Sequence, residues 1–323
     1  MGFVRAASQQ PASWKKARRW IALCIAAGVL AFASCAVATT LYVEFRLTAP
    51  ARAAVGRAPA DLHAETVVIP STSGAILSGW FVPGRPNGGA VVLLHGIRSN
   101  RLSMIRRARL LKEQGYSVLL FDFQSHGEST GERITFGALE ALDARSAVEF
   151  VRRRLPEERV GAIGTSLGGA AAVLGPSSLP VDALVLEAMY PDIQSALTNR
   201  LRAALGEVAS AVAVPLLVPL FESLARVAGV HQDQLRPIDR IGEITAPVLI
   251  ASGARDNRTT VAETRGLFAR AREPKSLWIV PAAGHVDLEA FSPDEYRRHV
   301  LPFLDRLRRA DSRDPRASRS GLR

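Results

Sequence analysis

The chain has 323 residues, 48% of them hydrophobic and 22% charged, which excludes a disordered or collagen-like polymer and suffices for one full core. The net charge of +11 sits at the two ends. Arg5, Lys15, Lys16, Arg18 and Arg19 stand at one, and Arg306, Arg308, Arg309, Arg313, Arg316, Arg319 and Arg323 against Asp311 and Asp314 at the other, so no nucleic-acid partner is expected.

In chain order, a basic segment 1–19 leads into residues 20–43, which carry no charge from Trp20 to Val43. A helix over that run reaches about 36 Å, against a hydrocarbon core of about 30 Å. Trp20 and Tyr42 stand where interfacial aromatics belong, and five basic residues precede the run where Arg46, Arg52 and Arg57 follow it. The expectation is a single-pass signal anchor with a cytoplasmic N-terminus, a membrane partner, and the rest of the chain on the non-cytoplasmic side. A secreted form is the alternative, because Ala36-Val37-Ala38 resembles a processing site; Phe32-Ala33-Ser34-Cys35 only loosely resembles a lipoprotein box. Cys24 and Cys35, the only two cysteines, lie inside this run, so the remainder has no disulfide and no cysteine nucleophile or ligand. A linker 44–63 follows.

Strand-like apolar runs are expected at 66–70, 77–82, 90–94, 117–121, 160–163, 183–187, 247–251 and 276–280. Helical stretches are expected near 101–114, 137–154, 167–174, 260–272 and 293–308. Alternating strands and helices imply an α/β domain over 64–308, with a mostly parallel central sheet of about eight strands flanked by helices. The alternation stops over 190–243, after the sixth strand, where a helical lid insertion is expected. Its apolar middle, Val212 to Phe221, reads as a cap helix packed on the core or as an acyl-binding or lipid-facing wall. Residues 309–323 read as a basic disordered tail.

Gly164-Thr165-Ser166-Leu167-Gly168 fits G-x-S-x-G between an apolar strand and an Ala-rich helix start. Two glycines let the chain turn sharply and present the Ser166 hydroxyl. A serine needs a base, and the base needs an orienting acid. Asp256 follows the run Pro247 to Ala251, and His285 follows Leu277 to Val280, each just past a strand end, where open α/β sheets gather their sites. The six histidines form no H-E-x-x-H or similar cluster, so neither metal nor other cofactor is expected.

Together with Leu94-His95-Gly96 and the run Asp122 to Ser129, these motifs make the chain resemble the α/β-hydrolase superfamily over roughly residues 64–305. Within it the chain looks most like the membrane-tethered, serine-aminopeptidase-like or dienelactone-hydrolase-like branches. The resemblance implies the α/β-hydrolase fold, a Ser166–His285–Asp256 triad, and an oxyanion hole from the Ile97 and Leu167 amides. His95 is expected to shape its loop. The family commonly has D-x-x-G-x-G-x-S where this chain carries Ser125-His126 before Gly127, and His126 is read as structural. Asp122 lies too early in the chain to be the acid; Glu187 is a rival, because some members draw the acid from that strand. Members of the superfamily that are dehalogenases or epoxide hydrolases use Asp where this chain has Ser166.

The implied activity is serine hydrolysis of a small-molecule or lipid ester, or a thioester, through an acyl-enzyme, with no obligate protein partner evident. The alternatives are a serine peptidase or amidase, and a catalytically idle tethered binding module.

Overall fold

The computed structural model describes residues 12–211, 213–215 and 229–308. The chain divides into two units, Met1–Leu47 and Thr48–Arg323.

The first unit is the helix Ala12–Thr48, which overruns the expected 20–43 at both ends. It stops just before Ala49-Pro50, since proline disfavours helical backbone at the residue before it. Trp20, Ile21, Leu23, Ile25, Val29, Leu30 and Tyr42 are exposed on it, while the side chains of Phe32, Ala33, Leu41 and Val43 lie outside the described residues. Among the described residues no helix is long and apolar enough to cross a membrane. The structure supports neither the membrane span nor the secreted alternative.

The second unit is built on eight strands, numbered here for the main sheet. They are β1 Glu65–Pro70, β2 Ile76–Val82, β3 Ala90–Leu94, β4 Ser117–Phe121, β5 Val160–Thr165, β6 Ala183–Glu187, β7 Val248–Gly253 and β8 Lys275–Val280. Their order across the sheet is β8-β7-β6-β5-β3-β4-β2-β1. β2 runs antiparallel to both β1 and β4, and every other pairing is parallel. This is the α/β-hydrolase fold. The central strands are apolar throughout because both faces are covered: Val92, Leu94 and Ala162 enter one core cluster, and Val91, Leu93 and Ile163 the other.

Register places the site. Leu94 pairs with Gly164, Thr165 with Glu187, Glu187 with Ala251, and Gly253 with Val280. The loops after β3, β5, β6, β7 and β8 therefore leave from one edge of the sheet. Helices Ile105–Glu113, Ala138–Arg154, Leu167–Val173, Val261–Arg270 and Pro293–Leu304 match the expected ones, with the first and last extended by 3-10 turns at Arg101–Met104 and Asp305–Leu307.

Two segments take courses that the sequence pattern does not specify. Much of the linker 44–63 is structured: Ala51–Arg52 pairs in parallel with His126–Gly127, Glu128 accepts the Val55 and Gly56 amides, and Leu62 is fully buried. Short stretches of this kind carry no periodicity, so their order comes only from distant partners. In the insertion 190–243, helix Ile193–Leu205 is capped by Asp192, and the short Pro237–Arg240 helix closes the segment. Val212 and residues 216–228, most of the expected apolar wall, lie outside the described residues, as does the tail 309–323.

Asp143, on the helix Ala138–Arg154, is buried and fastens the β1–β2 turn by accepting from Ser71 Oγ at 2.6 Å, Ser73 Oγ at 2.5 Å and the Gln124 amide at 2.8 Å. Burial outweighs these donors and pushes its pKa up to about 6. A carboxyl whose folded pKa exceeds its unfolded value stabilises the fold below the unfolded pKa and loses that contribution as pH rises through the folded one. Asp143→Asn should therefore flatten the pH dependence of stability between pH 4 and 7 by up to about 3 kcal/mol, as read by denaturant unfolding across that range.

Candidate active site

The turn between β5 and the helix Leu167–Val173 is dictated by close approach. A Cβ at Gly168 would stand 2.1 Å from Leu94 O, and one at Gly164 would stand 2.5 Å from Gly168 O. Neither position admits a side chain. Between them Ser166 is held at φ +51°, ψ −109°, a conformation that costs an L-residue roughly 1–3 kcal/mol. Its amide donates to Glu187 O at 2.8 Å, and its carbonyl accepts from the Ala170 amide at 3.1 Å. The hydroxyl is buried and has no hydrogen-bond partner among the described residues.

The loops after β7 and β8 are laced together by backbone bonds, Ala254 N–H to Val280 O at 2.9 Å and Arg255 N–H to Ala283 O at 2.8 Å. They deliver Asp256 to His285, with Oδ2 2.8 Å from Nδ1. Asp256 Oδ1 also accepts from the Arg258 and Thr259 amides, and Oδ2 from Thr259 Oγ1. Burial raises the Asp256 pKa, but the bond and charge of His285 and the Thr259 donors prevail and hold it below the usual carboxylate range. An ionised Asp256 fixes the proton on His285 Nδ1, which leaves Nε2 as the basic nitrogen.

The loop after β3 lies against the turn: a Cβ at Gly96 would sit 3.9 Å from Ser166 Cβ. The Ile97 and Leu167 amides form no hydrogen bond among the described residues. Two neutral histidines brace this loop. His95 Nδ1 donates to Gly96 O at 2.8 Å while its Nε2 accepts from the Phe123 amide at 3.0 Å. His126 Nε2 accepts from the Arg98 amide at 3.0 Å, and its Nδ1 donates to Gln124 O at 2.9 Å. Burial, with the neighbouring His126, pushes the His95 pKa down to about 3, and burial lowers that of His126 as well. Both rings are committed at both nitrogens, so they shape the loop as expected and have no basic nitrogen to offer a substrate.

Ser166, His285, Gly96 and Ile97 share the wall of one cavity of about 250 Å³, whose apolar side includes Met104, Ala188 and Val286. Among the described residues no group of three or more His, Cys, Asp or Glu side chains is placed to hold a metal ion.

Residues 91–299 match the family model described as "Alpha/beta hydrolase family". The chain belongs to the alpha/beta hydrolase family. Relatives of this hydrolase include the uncharacterized protein MT2364 of Mycobacterium tuberculosis, 32% identical over 82% of this chain and 86% of that protein. The alpha/beta hydrolase domain-containing protein WAV2 of Arabidopsis thaliana is 26% identical over 76% of this chain and 80% of its own length. Among solved structures, the Pyrococcus furiosus esterase Pf2001 superposes with a TM-score of 0.66 at 27% identity, covering 81% of this chain and 99% of that one.

In this hydrolase both rival acids have other partners. Asp122 is ion-paired with Arg101, which stacks over Trp80 and also reaches Glu128. Glu187 is buried under Arg107, with Oε2 2.6 Å from Nη2, and takes the Tyr296 hydroxyl on Oε1 at 2.6 Å. Neither bonds His285. Arg107 goes on to Asp287 Oδ2 at 2.9 Å, so one guanidinium ties the end of β6 to the loop that carries His285. Sequence reasoning missed Arg107, because an arginine among others on a short helix reads as part of a solvated face; only burial distinguishes it.

Breaking a buried ion pair leaves one charge uncompensated. Glu187→Gln should lower the unfolding free energy by about 3 kcal/mol in chemical denaturation. An unchanged stability would show that Arg107 is satisfied without Glu187.

Proposed function

We propose that the chain is a serine hydrolase that cleaves ester-like bonds through an acyl-enzyme. The observation that carries this reading is the Asp256–His285 bond of 2.8 Å beside a strained Ser166 whose hydroxyl has no partner. Ser166 Oγ attacks the carbonyl while His285 Nε2 takes its proton, and Asp256 holds the ring in the required tautomer and stabilises the imidazolium. The unused Ile97 and Leu167 amides donate to the developing oxyanion, an interaction whose loss costs roughly a hundred- to a thousandfold in turnover. His285 then protonates the leaving alcohol, and afterwards activates the water that releases the acid.

Ester chemistry is preferred over peptide cleavage because the similar Pyrococcus furiosus protein is an esterase. The strained Ser166 and the unused amides count against an idle binding module, which has no use for either. The anchor reading of residues 20–43 rests on the sequence alone, on the absence of charge between Trp20 and Val43. Retention of the chain in alkali-washed membranes supports it, and release into the wash removes it.

Ser166→Ala should abolish hydrolysis of 4-nitrophenyl butyrate, and Asp256→Asn should lower kcat by roughly four orders of magnitude with little change in fold. Full turnover by Ser166→Ala would sink the assignment.

A further inference from the structure

The wall of the cavity carries more guanidinium than carboxylate. It includes Arg107, Arg200 and Arg258 against Asp287. Arg107 is paired with Glu187 and Asp287, and Asp256 is engaged by His285 and Thr259. Arg200 and Arg258 are left with no carboxylate partner among the described residues. Arg200 gives one N–H to Ala196 O at 2.9 Å, a bond within its own helix.

Their placement is built. Arg200 lies on the helix Ile193–Leu205, and Arg258 follows Asp256 by two positions. Asn199, itself buried, clamps the two elements together: its Nδ2 donates to Arg258 O at 3.2 Å and to Glu263 at 2.8 Å. The Arg258 amide is held in turn by Asp256 Oδ1 at 2.8 Å. Two guanidiniums are thereby brought to one cavity wall, where burial and then the Arg258 charge depress the Arg200 pKa against the opposing pull of Tyr190 and Asp256. Arg200 is half-buried and Arg258 exposed, so water screens part of their repulsion and an anion held by both forks relieves the rest.

We infer that Arg200 and Arg258 form an anion subsite beside Ser166, so that the ester hydrolysed here carries a negatively charged carboxylate or phosphate group. This rests on the serine-hydrolase reading for its chemistry. Planar guanidinium forks match both carboxylate and phosphate oxygens, and each such charge-assisted contact is stronger than a neutral hydrogen bond. An anion seated there anchors the substrate a short distance from the attacked carbonyl and orients it for attack.

The test uses the full chain in non-ionic detergent with matched ester pairs. An anion in the acyl part is probed with 4-nitrophenyl hemiglutarate against 4-nitrophenyl valerate. An anion in the alcohol part is probed with the butyryl esters of 4-hydroxybenzoate and of 4-hydroxyphenyl phosphate, against that of neutral methyl 4-hydroxybenzoate. At least one anionic ester should exceed its neutral partner in kcat/KM by about tenfold or more, and carboxylate against phosphate identifies the group. Arg200→Gln and Arg258→Gln should each reduce that ratio by about tenfold, and the Lys variants should recover part of it. A ratio near one in the native chain, or one unmoved in the double Gln variant, overturns the subsite while leaving the serine-hydrolase reading intact.

Binding of the same esters to Ser166→Ala by calorimetry separates the two questions if no ester is turned over. Affinity for an anionic ester that is lost in the double Gln variant supports the subsite. Equal affinity for charged and neutral esters removes it.

Discussion

The close packing of β3 against the start of the helix Leu167–Val173 is the constraint on which the site depends. With Gly168 pressed on the Leu94 carbonyl and Gly164 pressed on Gly168, the backbone turns within a few residues and Ser166 is forced to positive φ. The strain is offset by the surrounding lattice: the Ser166 amide is tied to Glu187 O, and its carbonyl to the Ala170 amide. The same contact brings the loop after β3 alongside, so the serine and two unused amides arrive together. One steric fact therefore places an unpartnered hydroxyl beside two unengaged backbone amides.

Around this turn the charged groups act as fasteners. Arg107 joins helix Ile105–Glu113 to the ends of β6 and the His285 loop, and Arg101 joins the loops after β3 and β4 through Asp122 and Glu128. Both arginines are fully dehydrated and surrounded by acceptors and aromatic faces, which is how a buried guanidinium is tolerated. Arg200 and Arg258 differ in kind: they line the same cavity without an ion-pair partner among the described residues. A pocket whose structural arginines are matched and whose remaining two are not has its electrostatic preference built in before substrate arrives.

The two histidines of the loops beside Ser166 show how composition misleads when read alone. His95 and His126 stand in the motifs beside the site, yet each has both ring nitrogens engaged by backbone groups and is held neutral by burial. His285 lines the cavity with Nδ1 on Asp256 and no hydrogen bond to its other nitrogen among the described residues. What separates a brace from a base is therefore which atoms remain unengaged, a property of partners and not of residue type.

The eight strands, their alternation with helices, and the order Ser166, Asp256, His285 follow from the sequence alone, because apolar period and glycine placement are local signals. Strand ends fell within a residue or two of expectation for the same reason. The structured course of residues 51–62, the ion pairs that occupy Asp122 and Glu187, and the roles of Arg107, Arg200 and Arg258 were decided only by tertiary structure. Most depend on partners far along the chain, as with Arg107 and Asp287 or Asn199 and Glu263. A charged side chain looks the same in the sequence whether it is solvated, paired or left facing a cavity; burial and the neighbours that folding brings to it make the difference.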